Sequence, residues 1–84
     1  MESVQLTLLG RADCELCEEL HTQLMRDARV ASSGITVIDI DSRPDLLPRF
    51  NFRVPVLLNG NVEIFEGRPN AELSAALDAA FAGS

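Results

Sequence analysis

Two cysteines, Cys14 and Cys17, stand three residues apart, and the chain has no others. On a helix, residues at that spacing have Cβ atoms about 5 to 6 Å apart, so a disulfide closes and opens with little backbone movement. At a helix start the first thiol faces unpaired backbone N–H groups and the positive end of the helix dipole, which favour its thiolate. Cys14 is therefore the expected attacking group. Cys17 lies one turn inward on a stripe with Leu20 and Leu24, less exposed, and is the expected resolving thiol of a mixed disulfide. Around the pair stand Asp13, Glu15, Glu18 and Glu19 against one base, Arg11. Acids in a first helical turn complement the dipole, yet they oppose a thiolate on Cys14. His21 completes a Cys-x-x-Cys-x-x-x-His face, but three ligands on a turn and a half of helix cannot enclose a metal, and no further Cys or His exists to close a four-ligand site. No resident metal is expected. Phe50, Phe52, Phe65 and Phe81 read as core or groove residues.

The size of the chain limits what can hold these thiols. At 84 residues it reads as one domain, 1–84, in which nearly every periodic apolar residue serves a single core. Thirteen acids against seven bases give a formal charge of −6, the wrong sign for gripping phosphate backbones or an anionic membrane. No apolar run approaches the roughly 18 residues of a membrane span, and the first ten residues lack the basic start and apolar stretch of a signal peptide. The chain reads as complete and cytoplasmic, with chemistry rather than stapling as the use of its cysteines.

The elements that must position the thiols follow from periodicity. Val4, Leu6 and Leu8 alternate with Gln5 and Thr7, which predicts a strand with one buried face, ended by Gly10. Cys17, Leu20, Leu24 and Ala28 recur at three and four, predicting a helix from about Cys14 to Arg29, broken by Ser32, Ser33 and Gly34. The β-branched run Ile35, Val37, Ile38 and Ile40 is apolar on both faces, which predicts a strand in the sheet centre. Asp41 to Phe52, with Pro44 and Pro48, reads as a short irregular helix. Val54 to Leu58 and Val62 to Phe65 flank Asn59-Gly60, a strong hairpin signal. Asn70 can cap a last helix with Leu73, Ala76, Leu77, Ala80 and Phe81 on one face, ending at Gly83. The order is βαβαββα, with the first two strands parallel and a terminal antiparallel hairpin.

A Cys-x-x-Cys that follows a first strand and opens a helix, together with Arg53-Val54-Pro55 before Val56-Leu57-Leu58 and the Asn-Gly hairpin, resembles the glutaredoxins and small glutaredoxin-like proteins of the thioredoxin fold. The resemblance spans Val4 to about Phe81. It implies an α/β, thioredoxin-like fold of glutaredoxin type, a four-stranded mixed sheet flanked by helices. It also implies a cis Val54-Pro55 peptide abutting the cysteines, with the Val54 backbone pairing with that of a thiol substrate. Proline suits that place, since a cis bond costs far less before proline than elsewhere and proline is awkward inside a strand. The departures are as informative. Cys14-Glu15-Leu16-Cys17 is neither the Cys-Gly-Pro-Cys of thioredoxins nor the Cys-Pro-Tyr-Cys of glutaredoxins, and the chain has no Trp or Tyr. Where glutaredoxins hold the carboxylates of glutathione, this chain reads Gly10-Arg11-Ala12-Asp13 and Glu66-Gly67-Arg68-Pro69-Asn70, with Arg11 and Arg68 as partial substitutes.

The resulting expectation is a thiol-disulfide oxidoreductase in which Cys14 attacks, Cys17 resolves, and Arg11, Val54, Pro55 and Arg68 meet the substrate. That substrate is a thiol or disulfide, protein or of low molecular weight, with glutathione a candidate but weakly used. Neither flavin nor nicotinamide is implied, and no nucleic acid or membrane partner. The alternative is a binding module that keeps the fold and holds a partner protein, cluster or metal without redox turnover.

Overall fold

The computed structural model describes residues 4–82, so the expected helix end at Gly83 lies outside the described residues. Strand β1, Leu6–Gly10, leads into helix α1, Glu15–Met25, and a short helix α2, Ala28–Ser33, before strand β2, Ile35–Asp39. A 3-10 turn, Ile40–Ser42, and a four-residue helix α3, Leu47–Phe50, precede strands β3, Val56–Asn59, and β4, Val62–Glu66. Helix α4, Ala71–Ala82, follows. The sheet has strand order β2-β1-β3-β4, with β1 parallel to β2 and antiparallel to β3, and β3 antiparallel to β4.

Most elements form where their local chemistry asks. Asn70 Oδ1 accepts the Glu72 N–H at 2.8 Å and starts α4, which buries Leu73 and Leu77. Pro48 sits in the first turn of α3, where its missing N–H costs nothing. Gly60 takes φ 61° in the β3–β4 turn, a left-handed value that glycine adopts freely.

Two expectations need correction. The long helix is interrupted: α1 stops at Met25, and Asp27 caps a new one by accepting the Arg29 N–H at 2.8 Å. Arg29 reinforces the break by pairing with Asp27 and with Asp78 of α4, each at 2.9 Å. Ala28 consequently leaves the stripe and is exposed, while Ser32 and Ser33 stay helical until Gly34. The second correction concerns which strand is central. The β-branched β2 is an edge strand with Val37 58% exposed, whereas β1 is interior and apolar on both sides.

The core explains that exchange. One layer joins Leu6 and Leu8 of β1 to Leu20 and Leu24 of α1, Val30 of α2, Leu57 and Phe65 of the hairpin, and Leu73 and Leu77 of α4. A smaller layer on the other face joins Leu9 to Ile40, Phe50 and Val56. Strand β1 must supply both layers, and Leu8-Leu9 in succession does so because neighbouring strand residues point to opposite faces. In this arrangement Leu24→Ala, which empties a position with no exposure, should cost about 2–5 kcal/mol. Val62→Ala, at a position 64% exposed, should stay within about 0.5 kcal/mol. Urea unfolding with an unchanged slope for both variants checks the contrast.

Candidate functional site

The strand register determines which loops meet. Leu9 pairs with Val56 and Gly10 with Asp39, while Val56 also pairs with Glu66. The β1–α1 loop, the 3-10 turn, residues 51–55 and the start of the β4–α4 connection therefore gather at one end of the sheet. Cysteines 14 and 17 lie there, at the mouth of α1.

Cys14 is the N-cap of α1, with extended φ −109° and ψ 102°, and its Sγ accepts the Cys17 N–H at 3.2 Å. Its carbonyl accepts the Glu18 N–H at 3.1 Å, so the residue closes the first helical turn with both of its acceptors. The two cysteines form a disulfide across a Cα–Cα distance of 5.2 Å. Cys14 is half-buried and Cys17 only 7% exposed. Cys17 packs on β1 at Gly10, where an added Cβ would lie 3.3 Å from both Cys17 Cβ and Sγ, tighter than ordinary contact. Asp13 has φ 56°, a left-handed value that Asp tolerates better than most residues, and turns the chain into the helix. Neither the demand on Gly10 nor that on Asp13 has a sequence signal beyond residue type.

Arg11 is committed inside the protein. Its Nη2 and Nε donate to Asp41 Oδ1 and Oδ2 at 2.5 and 3.2 Å, and its Nη1 and Nη2 donate to the Asn51 carbonyl and Oδ1 at 2.9 and 3.0 Å. One guanidinium thus ties the cysteine loop to the 3-10 turn and to the segment leading to Val54-Pro55. Asp41 and Asn51, 30 and 40 residues away in sequence, carry no local signal for this role. Arg68 is exposed, and among the described residues its side chain has no hydrogen-bonding or ionic partner. It faces an open groove of about 550 Å3 shared with Glu15, Glu18, Glu19 and Arg26.

The Val54-Pro55 bond is cis, Pro55 is buried, and its carbonyl accepts the Gly67 N–H at 2.9 Å. Val54 is half-buried and precedes the sheet ladder, which starts at Val56. Of the phenylalanines, Phe50 and Phe65 are core, but Phe52, at the same end as the cysteines, is 95% exposed. His21 is half-buried and lines a second groove that also touches Cys17.

Charge is unevenly distributed. Arg11, Arg29, Arg43, Arg49 and Arg53 all have carboxylate partners: Asp41; Asp27 and Asp78; Asp45; Glu63; and Glu63 with Glu66. Asp13, Glu15, Glu18 and Glu19 are exposed, and none has an ion-pair partner among the described residues. Four unpaired carboxylates thus stand around the disulfide, and the two arginines without a carboxylate partner among the described residues, Arg26 and Arg68, share a groove with three of them.

The Arg11 hydrogen bond holds the Asp41 carboxyl below the ordinary aspartate range. A carboxylate lowered on folding stabilises the protein above its ordinary pKa and loses that effect as pH falls through the lowered one. Arg11→Ala should therefore lower the urea midpoint at neutral pH, and the gap from wild type should narrow as pH falls below the ordinary aspartate value of about 3.9, to the part owed to the Asn51 hydrogen bonds. Midpoints measured across pH check both the loss and its narrowing.

Comparison with known proteins agrees with this geometry. Residues 5–79 match the family described as Glutaredoxin-like domain (DUF836). Among solved structures, protein XcR50 from X. campestris is 32% identical, with 89% of this chain and 97% of that one covered at a TM-score of 0.65. Protein Ne2328 from Nitrosomonas europaea is 30% identical, with 92% and 93% covered at 0.72. Thioredoxin 1 from Thermosipho africanus TCF52B, at 19% identity, 93% and 94% coverage and a TM-score of 0.62, shares the fold. No curated protein matches the chain.

Proposed function

Because this chain belongs to the glutaredoxin-like domain family (DUF836), we propose that it is a thiol-disulfide oxidoreductase working through Cys14 and Cys17. The observation that carries the reading is the unequal placement of the two sulfurs, one capping an exposed helix start and the other packed on Gly10 behind it. In the reduced protein the Cys14 thiolate attacks a substrate disulfide, forms a mixed disulfide and releases one thiolate. Cys17 then attacks Cys14 Sγ, releases the second substrate thiol and leaves the intramolecular disulfide. A reductant thiol reverses the sequence. The setting proposed is a reducing compartment, the cytoplasm, and no described helix is long and apolar enough to cross a membrane.

The substrate side of the site consists of the Val54 backbone, Pro55 and Arg68. Arg11 supports the loops instead, which leaves Arg26 and Arg68 as cations without a carboxylate partner among the described residues; both line one groove with Glu15, Glu18 and Glu19, and Arg68 is the one assigned to a substrate carboxylate. That balance disfavours oxidised glutathione, which is anionic. A polypeptide disulfide is the better substrate, since it could also cover the exposed Phe52.

Two measurements test the reading. Cys17→Ser should trap mixed disulfides through Cys14, whereas Cys14→Ser should trap few; equal trapping by both removes the assignment of roles. In stopped flow, reduction of oxidised glutathione should be slow compared with a Cys-Pro-Tyr-Cys glutaredoxin. Replacing Glu15 and Glu18 together by Gln should speed it several-fold, and added salt should shrink that gain by screening. Failure of both thiols to react under these conditions would leave a binding module as the function of the fold.

A further inference from the structure

The second groove lies on the β2 side of α1 and encloses about 510 Å3. Cys17 and His21 line one wall, Gly10 and Leu8 the floor, and Val37 and Ile38 the opposite side. The reading above, on which this inference rests, gives this space no task, although it leads to the less accessible sulfur.

The resolving step has an unmet need. Before Cys17 attacks, its thiol must lose a proton, and burial of the kind Cys17 has, 7% exposed and packed on Gly10 beside Leu8, works against forming a thiolate. The helix dipole gives less help there, because the Cys17 N–H already bonds to Cys14 Sγ and the sulfur lies behind the cap. A proton acceptor has to come from the groove. Four groups with charge or titrating capacity face it: Arg11, Glu18, His21 and Asp39. Arg11 holds its protons throughout and is engaged by Asp41 and Asn51. Asp39 stands across on β2, with Oδ1 accepting the Asp41 N–H at 2.9 Å. Glu18 is adjacent to Cys17 in sequence, which on a helix points it about 100° away, and it is exposed. His21 is four residues on, stacked one turn from Cys17 on the same face, half-buried in the same groove. Imidazole is also the side chain that most readily takes and returns a proton near neutral pH.

We propose that His21 is the proton acceptor for Cys17 in the resolving step. The Cys17 thiol gives its proton to the imidazole, directly or through one water. Its sulfur attacks Cys14 Sγ with the electron pair so released. The bond between Cys14 and the substrate sulfur breaks, and the substrate leaves as a thiolate that is protonated by the imidazolium or by solvent. The dithiol is oxidised by two electrons, and the substrate disulfide is reduced by two. In the reverse direction the imidazolium protonates Cys17 as the reductant opens the disulfide.

Dithiodipyridine, an uncharged disulfide that releases one absorbing thiopyridone at each step, separates attack from resolution. Mixed at one equivalent with reduced protein, it should give a first phase from Cys14 and a second from Cys17. His21→Gln should slow the second phase by roughly tenfold to a hundredfold relative to the first, and flatten its pH dependence in the range where imidazole titrates. Added imidazole should restore the second phase of His21→Ala in proportion to its concentration, since the groove would gain room where the ring stood. Glu18→Gln tests the neighbouring acceptor. A second phase in His21→Gln within twofold of wild type, absence of imidazole rescue, or slowing by Glu18→Gln instead would overturn the assignment. Wild-type protein giving no first phase would instead show that the oxidoreductase reading itself is wrong, and this inference with it.

Discussion

Close approach of helix α1 to strand β1 at Gly10 is the constraint from which the rest of the site follows. A Cβ there would crowd the Cys17 sulfur and push the helix out by a few tenths of an ångström, so bare backbone on β1 lets α1 settle this close. That contact sets the depth of Cys17. It also sets the stripe behind it, Leu20 and Leu24, which drops into the larger core layer. Since α1 begins at Glu15, two residues before Cys17, Cys14 is carried to the half-buried rim as its cap. The difference in burial between two chemically identical side chains is thus a packing result.

Arg11 performs a complementary task from the loop side. The cysteine loop, the 3-10 turn and the approach to Val54-Pro55 are far apart in sequence, and no sheet hydrogen bond joins them beyond the ends of the strands. A planar guanidinium with five donors can bridge two acceptor groups at once, which lysine cannot do with comparable geometry. Its partners explain why a cation near the cysteines leaves the surface so acidic. The charge of Arg11 is taken up by Asp41, and among the described residues the four acids of the helix start have no ion-pair partner, with Arg26 and Arg68 in the groove of three of them.

How much of this could be read from the chain depends on how local the determining interaction is. The cysteine pair, the Asn59-Gly60 turn and the Asn70 cap are each set within four residues, and each was legible, whereas the first helical turn expected at Pro44 falls at Pro48. The fold class followed from their order together with the resemblance around Val54-Pro55. Asp27 ended α1 earlier than the apolar period suggested, because its side chain can cap a new helix at lower cost than the old one can continue, and Arg29 locks the choice through Asp78, 49 residues on. The β2 run looked central because it is β-branched on both faces. Burial on both faces, however, is decided by which strand has helices above and below it, and Leu8-Leu9 gave β1 that place. The partners of Arg11 were illegible for the same reason, being contacts that exist only after the sheet has brought distant loops to one end.

Helix α1 then acts as a partition between two environments of opposite character. In front of it lies an open groove of Glu15, Glu18, Glu19, Arg26 and Arg68, beside the helix start that half-buried Cys14 caps. Behind it, the groove toward β2 is floored by Leu8 and walled by Val37 and Ile38, and it reaches Cys17. A dithiol needs such a division, because an attacking thiol works best near substrate and solvent, while a resolving thiol must be kept from competing for the same disulfide. The edge position of β2 contributes here: a strand with another strand beyond it would carry a second covering layer, whereas the exposed Val37 leaves the rear groove open to protons and small molecules. The feature of the sheet that ran against the hydrophobic pattern is therefore the one that gives the buried sulfur a route to solvent.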